Sequence, residues 1–74
     1  MALLDLKADV TGAIWRITAT PGQRVSAGDT LLIMESMKME IPLLSPEDGT
    51  LREIFVKEGE IANEGDIVAR MEDI

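Results

Sequence analysis

One lysine of this sequence stands between two methionines, in a short segment that has the residue types needed for covalent chemistry. Lys38 is flanked by Met37 and Met39, and the carboxylates of Glu35 and Glu40 lie just outside them. A lysine amine can be acylated by an activated donor, but at neutral pH it is largely protonated. The chain contains neither histidine nor cysteine, which excludes thiol nucleophiles, Cys/His zinc sites and histidine acid–base chemistry. Acylation of Lys38 would therefore depend on a separate enzyme.

The backbone around Lys38 is expected to form a tight hairpin. Thr30–Ser36 and Met39–Leu44 fit short strands, which leaves Met37 and Lys38 as a two-residue connection. Such connections favour Asn and Gly, because both central residues of the preferred turn have positive φ. Met and Lys at these positions store local strain, a feature that occurs at functional sites. We therefore expect Lys38 to project from the tip of a rigid hairpin.

The same region also has features of a helix. Residues 30–41 are rich in Leu, Met, Glu and Lys, which are strong helix formers. Asp29 is suitable as an N-cap, and Pro42 as a stop. An internal repeat favours strands instead, because the matching segment 67–71 is more strand-like. The sequence therefore predicts a strand, a hairpin turn and a second strand.

The internal repeat becomes visible when the sequence is shifted by 37 positions. All six glycines then coincide in three pairs, which are Gly12 with Gly49, Gly22 with Gly59, and Gly28 with Gly65. Glycine tolerates positive φ, so these positions are candidate turns or bulges between short segments. The pattern predicts a small antiparallel β-sandwich or flattened barrel, whose two similar halves pack face to face around a pseudo-twofold axis.

Size and charge narrow the classes of function. The 74 residues are sufficient for one small domain, spanning 1–74, with little room for a substrate cleft. Fourteen acidic residues against seven basic ones give a net charge of −7, which disfavours binding to nucleic acid. The apolar run 31–34 is too short to span a membrane, and Asp5 interrupts the apolar N-terminal residues, so no signal peptide is expected. These features predict a cytoplasmic domain without nucleic-acid or membrane partners.

The segment 35–40, Glu-Ser-Met-Lys-Met-Glu, resembles the modification motif of biotinyl carrier domains. In that family a lysine between two methionines, at a hairpin tip, receives biotin through an amide bond. The similarity extends through the glycine pattern over residues 10–72, and the small stand-alone biotin/lipoyl attachment proteins are most similar in length. The resemblance implies an all-β barrel-sandwich hybrid of two four-stranded antiparallel sheets, with the modified lysine on a hairpin tip.

The resemblance also implies roles for the residues of this segment. Lys38 would carry covalent biotin, attached by a biotin protein ligase that uses biotinyl-adenylate. The ligase would recognise the neighbouring side chains, which are Glu35, Ser36, Met37, Met39 and Glu40. The carrier itself would be non-catalytic, without catalytic or metal-binding residues, and would shuttle carboxybiotin between the biotin carboxylase and the carboxyltransferase of a biotin-dependent carboxylase. Many such carriers have Ala in place of Ser36, which leaves the parent carboxylase open.

Two other functions are compatible with the same fold. A lipoyl carrier of a 2-oxo-acid dehydrogenase or glycine cleavage system is the first, although lipoyl sites usually have an acidic residue where this chain has Met37. A barrel that binds proteins without any modification is the second, with Lys38 as an ordinary solvated lysine. Trp15 is interpreted as a packing or partly exposed strand residue with no role in the site.

Overall fold

The computed structural model describes residues 2–74, which form eight β-strands in two four-stranded antiparallel sheets. The strands are β1 Leu3–Lys7, β2 Gly12–Ile17, β3 Arg24–Val25, β4 Thr30–Ser36, β5 Met39–Leu44, β6 Gly49–Ile54, β7 Ile61–Ala62 and β8 Ile67–Asp73. The order β5-β4-β2-β7 forms what we call the hairpin sheet, and β1-β8-β6-β3 forms the opposite sheet. Within residues 2–74 no helix is long and apolar enough to cross a membrane. The all-β prediction is confirmed.

The pseudo-twofold repeat is confirmed by the pairing of the strands. In the hairpin sheet, β2 pairs with β4 through Ala13↔Glu35 and Ile14↔Met34. In the opposite sheet, β6 pairs with β8 through the positions 37 residues later, which are Thr50↔Glu72 and Leu51↔Met71. A register shift follows in both pairs, at Ile14/Arg16 and at Leu51/Glu53. The two halves therefore share register and bulge as well as glycine spacing.

Tertiary packing overrides helix propensity in the segment that begins at Thr30. β4 and β5 have the predicted bounds, and the turn lies between them. Leu31, Leu32 and Met34 are buried in β4, so its apolar side chains contribute to the core between the sheets. Each fully buried side chain of this size contributes about 1.5–3 kcal/mol by leaving water. That burial outweighs a propensity difference of a few tenths of a kcal/mol per residue.

Two predicted strands are shorter than expected, and three short ones were not foreseen. The short segments between the repeated glycines predict strands over residues 13–20 and 50–57, but the strands formed there, β2 and β6, end at Ile17 and Ile54. After Ile17 the amides of Thr18 and Ala19 both donate to the carbonyl of Leu31, at 3.1 Å, so regular pairing stops there. The unforeseen strands are β1, β3 and β7, of which the last two have only two residues each.

The core lies between the sheets and contains apolar side chains from both. The largest fully buried ones are Ile14, Leu31, Leu32, Leu51, Val68 and Met71. Ile17 of β2 and Ile54 of β6 pack against this cluster from its margin, as does Val56, which follows β6. The resulting scaffold supports the hairpin, which extends beyond it.

Four glycines have the positive φ that was expected of turn residues. The φ angles are 93° at Gly22, 90° at Gly28, 93° at Gly59 and 89° at Gly65. No atom lies within 4 Å of a Cβ built at any of them, so a substitution there is opposed by backbone strain alone.

Replacing Gly28 by Val is expected to destabilise the domain by about 1–2 kcal/mol, because a β-branched residue is strained in the left-handed region. A change of this size lowers the melting midpoint of such a small domain by roughly 4–16 °C. Thermal melting of Gly28→Val should be compared with Gly28→Asn, since Asn tolerates positive φ better. Equal midpoints for the wild type and Gly28→Val would contradict the assignment of strain to this turn.

Candidate functional site

The hairpin between β4 and β5 turns through two residues in the left-handed region. The φ angle is 52° at Met37 and 64° at Lys38, and the flanking residues Ser36 and Met39 are directly paired. Positive φ at both central residues is the signature of the type I′ turn, which matches the twist of paired strands. The predicted two-residue turn is confirmed, including its strain. Non-glycine residues in this conformation cost of order 1–3 kcal/mol each, so the surrounding structure must hold them there.

The base of the hairpin is fastened to the loop that precedes β2. The hydroxyl of Ser36 donates to the carbonyl of Thr11 at 2.9 Å, and the hydroxyl of Thr11 accepts from the amide of Glu64 at 2.9 Å. Gly12 permits this close approach, because a Cβ there would overlap the backbone oxygen of Glu35 and lie 3.1 Å from the Cβ of Ser36. These contacts give Lys38 a fixed platform.

Sequence reasoning missed the roles of Thr11 and Gly12 in this platform. The hydrogen-bonded partners are 25 and 53 positions apart, and no local pattern marks such pairs. The glycine repeat was the available signal, since it pairs Gly12 with Gly49, and both lack room for a Cβ.

The two methionines beside Lys38 are among the exposed apolar residues. Met37 is 91% exposed and Met39 is 64% exposed, whereas Met34 and Met71 lie in the core at 2% and 0%. The flanking pair therefore contributes little to folding, which agrees with the expectation that both side chains are available to a partner. Lys38 is exposed between them. The salt bridges found within residues 2–74 join Arg52 to Glu72 and Arg70 to Asp5, so neither involves Lys38.

Two glutamates approach the turn as a directly opposed pair. Glu35 on β4 is paired with Glu40 on β5, and both are exposed. Like charges directly opposite each other across two strands are destabilising, and neither carboxylate forms a salt bridge within residues 2–74. The structure thus brings the whole predicted set, residues 35–40, to one end of the molecule.

Comparisons with known proteins agree with this fold and hairpin. The biotin/lipoyl family model described as "Biotin-requiring enzyme" matches residues 5–71. The chain is 32% identical over 68 residues to the biotin/lipoyl attachment protein of Bacillus subtilis, covering 92% of this chain and 93% of that protein. It is 43% identical over 56 residues to the mitochondrial methylcrotonoyl-CoA carboxylase subunit alpha of Mus musculus, covering 76% of this chain and 8% of that subunit. The chain belongs to the biotin/lipoyl attachment family.

A solved structure shows the same architecture within a much larger enzyme. The urea carboxylase of Kluyveromyces lactis superposes with a TM-score of 0.92 at 32% sequence identity, covering 97% of this chain and 6% of that one. The chain is thus homologous to the carrier domains of biotin-dependent carboxylases and spans a small part of their length. Its family consists of small attachment domains that act as carriers rather than catalysts. The family resemblance drawn from the Met-Lys-Met segment is confirmed.

Proposed function

We propose that this chain is a carrier that receives biotin in amide linkage on Lys38 and presents it to partner enzymes. The observation that carries this function is the position of Lys38, in a left-handed two-residue turn between two exposed methionines. The other two lysines, Lys7 and Lys57, do not lie in such a turn: Lys7 is in β1, and Lys57 follows β6. An enzyme that needs an amine on a projecting tip therefore has one suitable target here.

The surroundings of Lys38 fit a group that remains outside the fold. No cavity is found within residues 2–74, and the exposed tip leaves an attached chain free to extend into solvent. When bound, biotin supplies the ring nitrogen that carries a carboxyl group, while the domain supplies position. Hydrogen bonds hold the base of the hairpin in place, and its tip is exposed, so biotin attached to Lys38 would extend from a fixed point. Tethering of this kind raises the local concentration of the carried group at a partner's site.

Attachment requires an outside enzyme, because residues 35–40 contain no suitable general base beside Lys38. A biotin protein ligase would bind the tip and remove a proton from the ammonium. The lysine nitrogen would then attack the carboxyl carbon of biotinyl-adenylate, forming the amide and releasing AMP. Conversion of the ammonium to an amide removes one positive charge and changes the net charge from −7 to −8.

The partners in this function are a biotin protein ligase, a biotin carboxylase and a carboxyltransferase. We infer them because homologous segments lie within pyruvate carboxylase and urea carboxylase. We further propose that residues 1–74 act as one attachment domain in the cytoplasm, where ATP is available to form the adenylate. Glu35, Ser36 and Glu40 are proposed ligase contacts along with the two methionines.

The mass of the intact chain, produced together with a biotin ligase and separately with a lipoyl ligase, tests this function. One biotinyl group and no lipoyl group is the expected result. Addition of a lipoyl group alone would assign the chain to the lipoyl carriers, and an unmodified mass in both cases would favour a protein-binding barrel.

Replacing Met37 by Asp, or Met39 by Ala, is expected to slow biotinylation while leaving stability nearly unchanged. Loss of an apolar contact worth about 1–3 kcal/mol corresponds to a roughly five- to two-hundred-fold lower specificity constant for the ligase. Initial rates of labelling and thermal melting provide the two measurements. Met37→Asp also moves the tip towards the acidic lipoyl pattern, so labelling by a lipoyl ligase should be measured in parallel.

Met34→Ala is the matched control, because Met34 belongs to the same hairpin but is buried in β4. It should cost about 2–5 kcal/mol of stability and leave the labelling rate of the folded protein unchanged. Wild-type labelling combined with early melting in the Met37 and Met39 variants would show that these two methionines serve the fold instead.

A further inference from the structure

The internal repeat allows the outer faces of the two sheets to be compared position by position. A shift of 37 residues converts the pairing of β4 with β5 into that of β8 with β1, and the pairing of β2 with β7 into that of β6 with β3. Each outward residue of the hairpin sheet therefore has a counterpart on the opposite sheet. Since the two faces share one backbone design, differences between their side chains reflect what each face contacts.

The opposite sheet pairs four of its charged side chains in two salt bridges. The guanidinium of Arg70 donates to the carboxylate of Asp5 at 2.7 Å, and Arg52 forms a salt bridge with Glu72. The pKa of Arg70 is raised, mainly by its hydrogen bond to Asp5 and by the charge of that residue. These four charged side chains are therefore paired within the chain, as expected of groups in contact with water, and the exposed apolar residues Leu3, Phe55 and Ile67 lie on the same side of the molecule.

The counterpart positions on the hairpin sheet are apolar. Pro42 stands where the opposite sheet has Asp5, Ile33 where it has Arg70, Trp15 where it has Arg52, Leu44 where it has Lys7, and Ile61 where it has Arg24. We call these five residues, Trp15, Ile33, Pro42, Leu44 and Ile61, the apolar face. At these five positions a charged side chain of the opposite sheet is replaced by an apolar one, whereas Glu53 and Glu72 have the charged counterparts Arg16 and Glu35.

The apolar face is accessible to a partner. Trp15 is 42% exposed, Leu44 48% and Ile61 68%; Pro42 is exposed and Ile33 partly so. Pro42 lies on the edge strand β5 and lacks an N–H group, which opposes addition of a further strand at that edge. Contact through the face of the sheet is therefore favoured over contact through its edge.

An unpaired acidic border separates the apolar face from the tip. Glu35 and Glu40 oppose each other there, whereas the counterpart of Glu35 is Glu72, which is paired with Arg52, and the counterpart of Glu40 is Leu3. The hairpin sheet thus combines an exposed apolar patch with two carboxylates that have no cation partner within residues 2–74. A surface complementary to it would be apolar with a border of Lys or Arg side chains.

We propose that the apolar face is the docking surface for the biotin carboxylase that acts on the carried group. Such an enzyme would present an apolar patch bordered by basic side chains to this face. Pro42 lies four residues from Lys38, which is roughly 13 Å along a strand, so an enzyme docked on the face leaves the tip and its arm free to enter an active site. A second copy of the chain is the less suitable occupant, because two chains that each have a net charge of −7 repel each other. This inference rests on the proposed function.

The test compares Trp15→Thr with Phe55→Thr, a matched control on the opposite side of the molecule. Trp15 is 42% exposed and Phe55 is 44% exposed. Each ring lies beneath an arginine: the distance from the guanidinium carbon to the ring centroid is 4.9 Å for Arg16 over Trp15 and 5.3 Å for Arg70 over Phe55. Wild type and both variants are loaded with biotin, verified by intact mass and by thermal melting, and offered to a purified bacterial biotin carboxylase. The assay measures kcat/KM for incorporation of radiolabelled bicarbonate. In that reaction ATP gives ADP and phosphate, and the N–H of the biotin ring becomes an N-carboxylate with release of one proton.

Trp15→Thr is expected to lower kcat/KM at least about tenfold, because aromatic residues at the centre of an interface carry much of its binding energy. Phe55→Thr should match the wild type, and the loading rate by the ligase should be equal in all three. Equal kcat/KM for Trp15→Thr and the wild type would overturn the docking surface, as would a wild-type chain that is no better a substrate than free biotin. Sedimentation could instead show that the wild type is a dimer and that Trp15→Thr is a monomer. That result would assign the apolar face to a second copy of the chain and would also overturn the proposed docking surface. Failure of the wild type to accept biotin on Lys38 would instead refute the proposed function.

Discussion

Lys38→Arg is expected to carry no biotin after production with an active ligase, while it folds and melts like the wild type. Arginine retains the positive charge at the tip but offers no primary amine, and its guanidinium cannot be deprotonated in proteins. The side chain is exposed at the turn, so its replacement removes no core contact. Streptavidin blotting measures the modification, and thermal melting measures the stability.

Lys7→Arg and Lys57→Arg are the matched controls for this prediction. Both lysines are exposed, but neither lies at the hairpin tip. Each control should be labelled as fully as the wild type. A streptavidin signal that persists in Lys38→Arg and disappears in one of the controls would move the attachment site away from the hairpin.

Gly12→Val is expected to have a large effect on stability, with a loss of about 3 kcal/mol or more. A side chain at this position would overlap the backbone oxygen of Glu35 and crowd Ser36, and backbone atoms cannot move aside without breaking the pairing of β2 with β4. A loss of that size lowers the melting midpoint of a domain of this length by more than about 10 °C. Thermal or urea melting measures it, and complete unfolding would meet the expectation as well.

Gly49→Val separates the effect on the fold from the effect on the hairpin. Gly49 is the repeat partner of Gly12, and its Cβ would overlap the backbone oxygen of Glu72 at the other end of the molecule. Both variants should lose stability to a similar degree. At a temperature where both are folded, Gly12→Val should be labelled more slowly because it disturbs the base of the hairpin, and Gly49→Val should be labelled at the wild-type rate. A wild-type melting midpoint for Gly12→Val would contradict the close packing described here.

The fold could be predicted from the sequence chiefly because the chain repeats itself. The spacing from Gly12 to Gly49 aligned the two halves, and the strand-like segment 67–71 then indicated the conformation of 30–36, where helix propensity alone would have misled. The turn at Met37 and Lys38 followed from the strands on either side of it. These features depend on local residue patterns or on the repeat, and both are visible in the sequence alone.

Other features depend on contacts that have no local signal. β3 and β7 have two residues each, and they exist only because β6 and β2 lie beside them. The hydrogen bond from Ser36 to Thr11 joins residues 25 positions apart. Trp15 was interpreted as a strand residue without a role in the site. The shift of 37 positions already places it on Arg52, but only the structure showed that Trp15 is exposed on the same sheet as Ile33 and Pro42, and this made the apolar face recognisable.

The most direct measurement for the central claim is tandem mass spectrometry of the wild-type chain after production with a biotin ligase. The chain has three lysines and an α-amino group as acceptors, so fragment ions can assign the modified nitrogen without ambiguity. One biotinyl group on Lys38, with Lys7 and Lys57 unmodified, is the predicted result. Biotin on Lys7 or Lys57, or a chain that remains unmodified in the presence of a ligase active on another carrier, would contradict it.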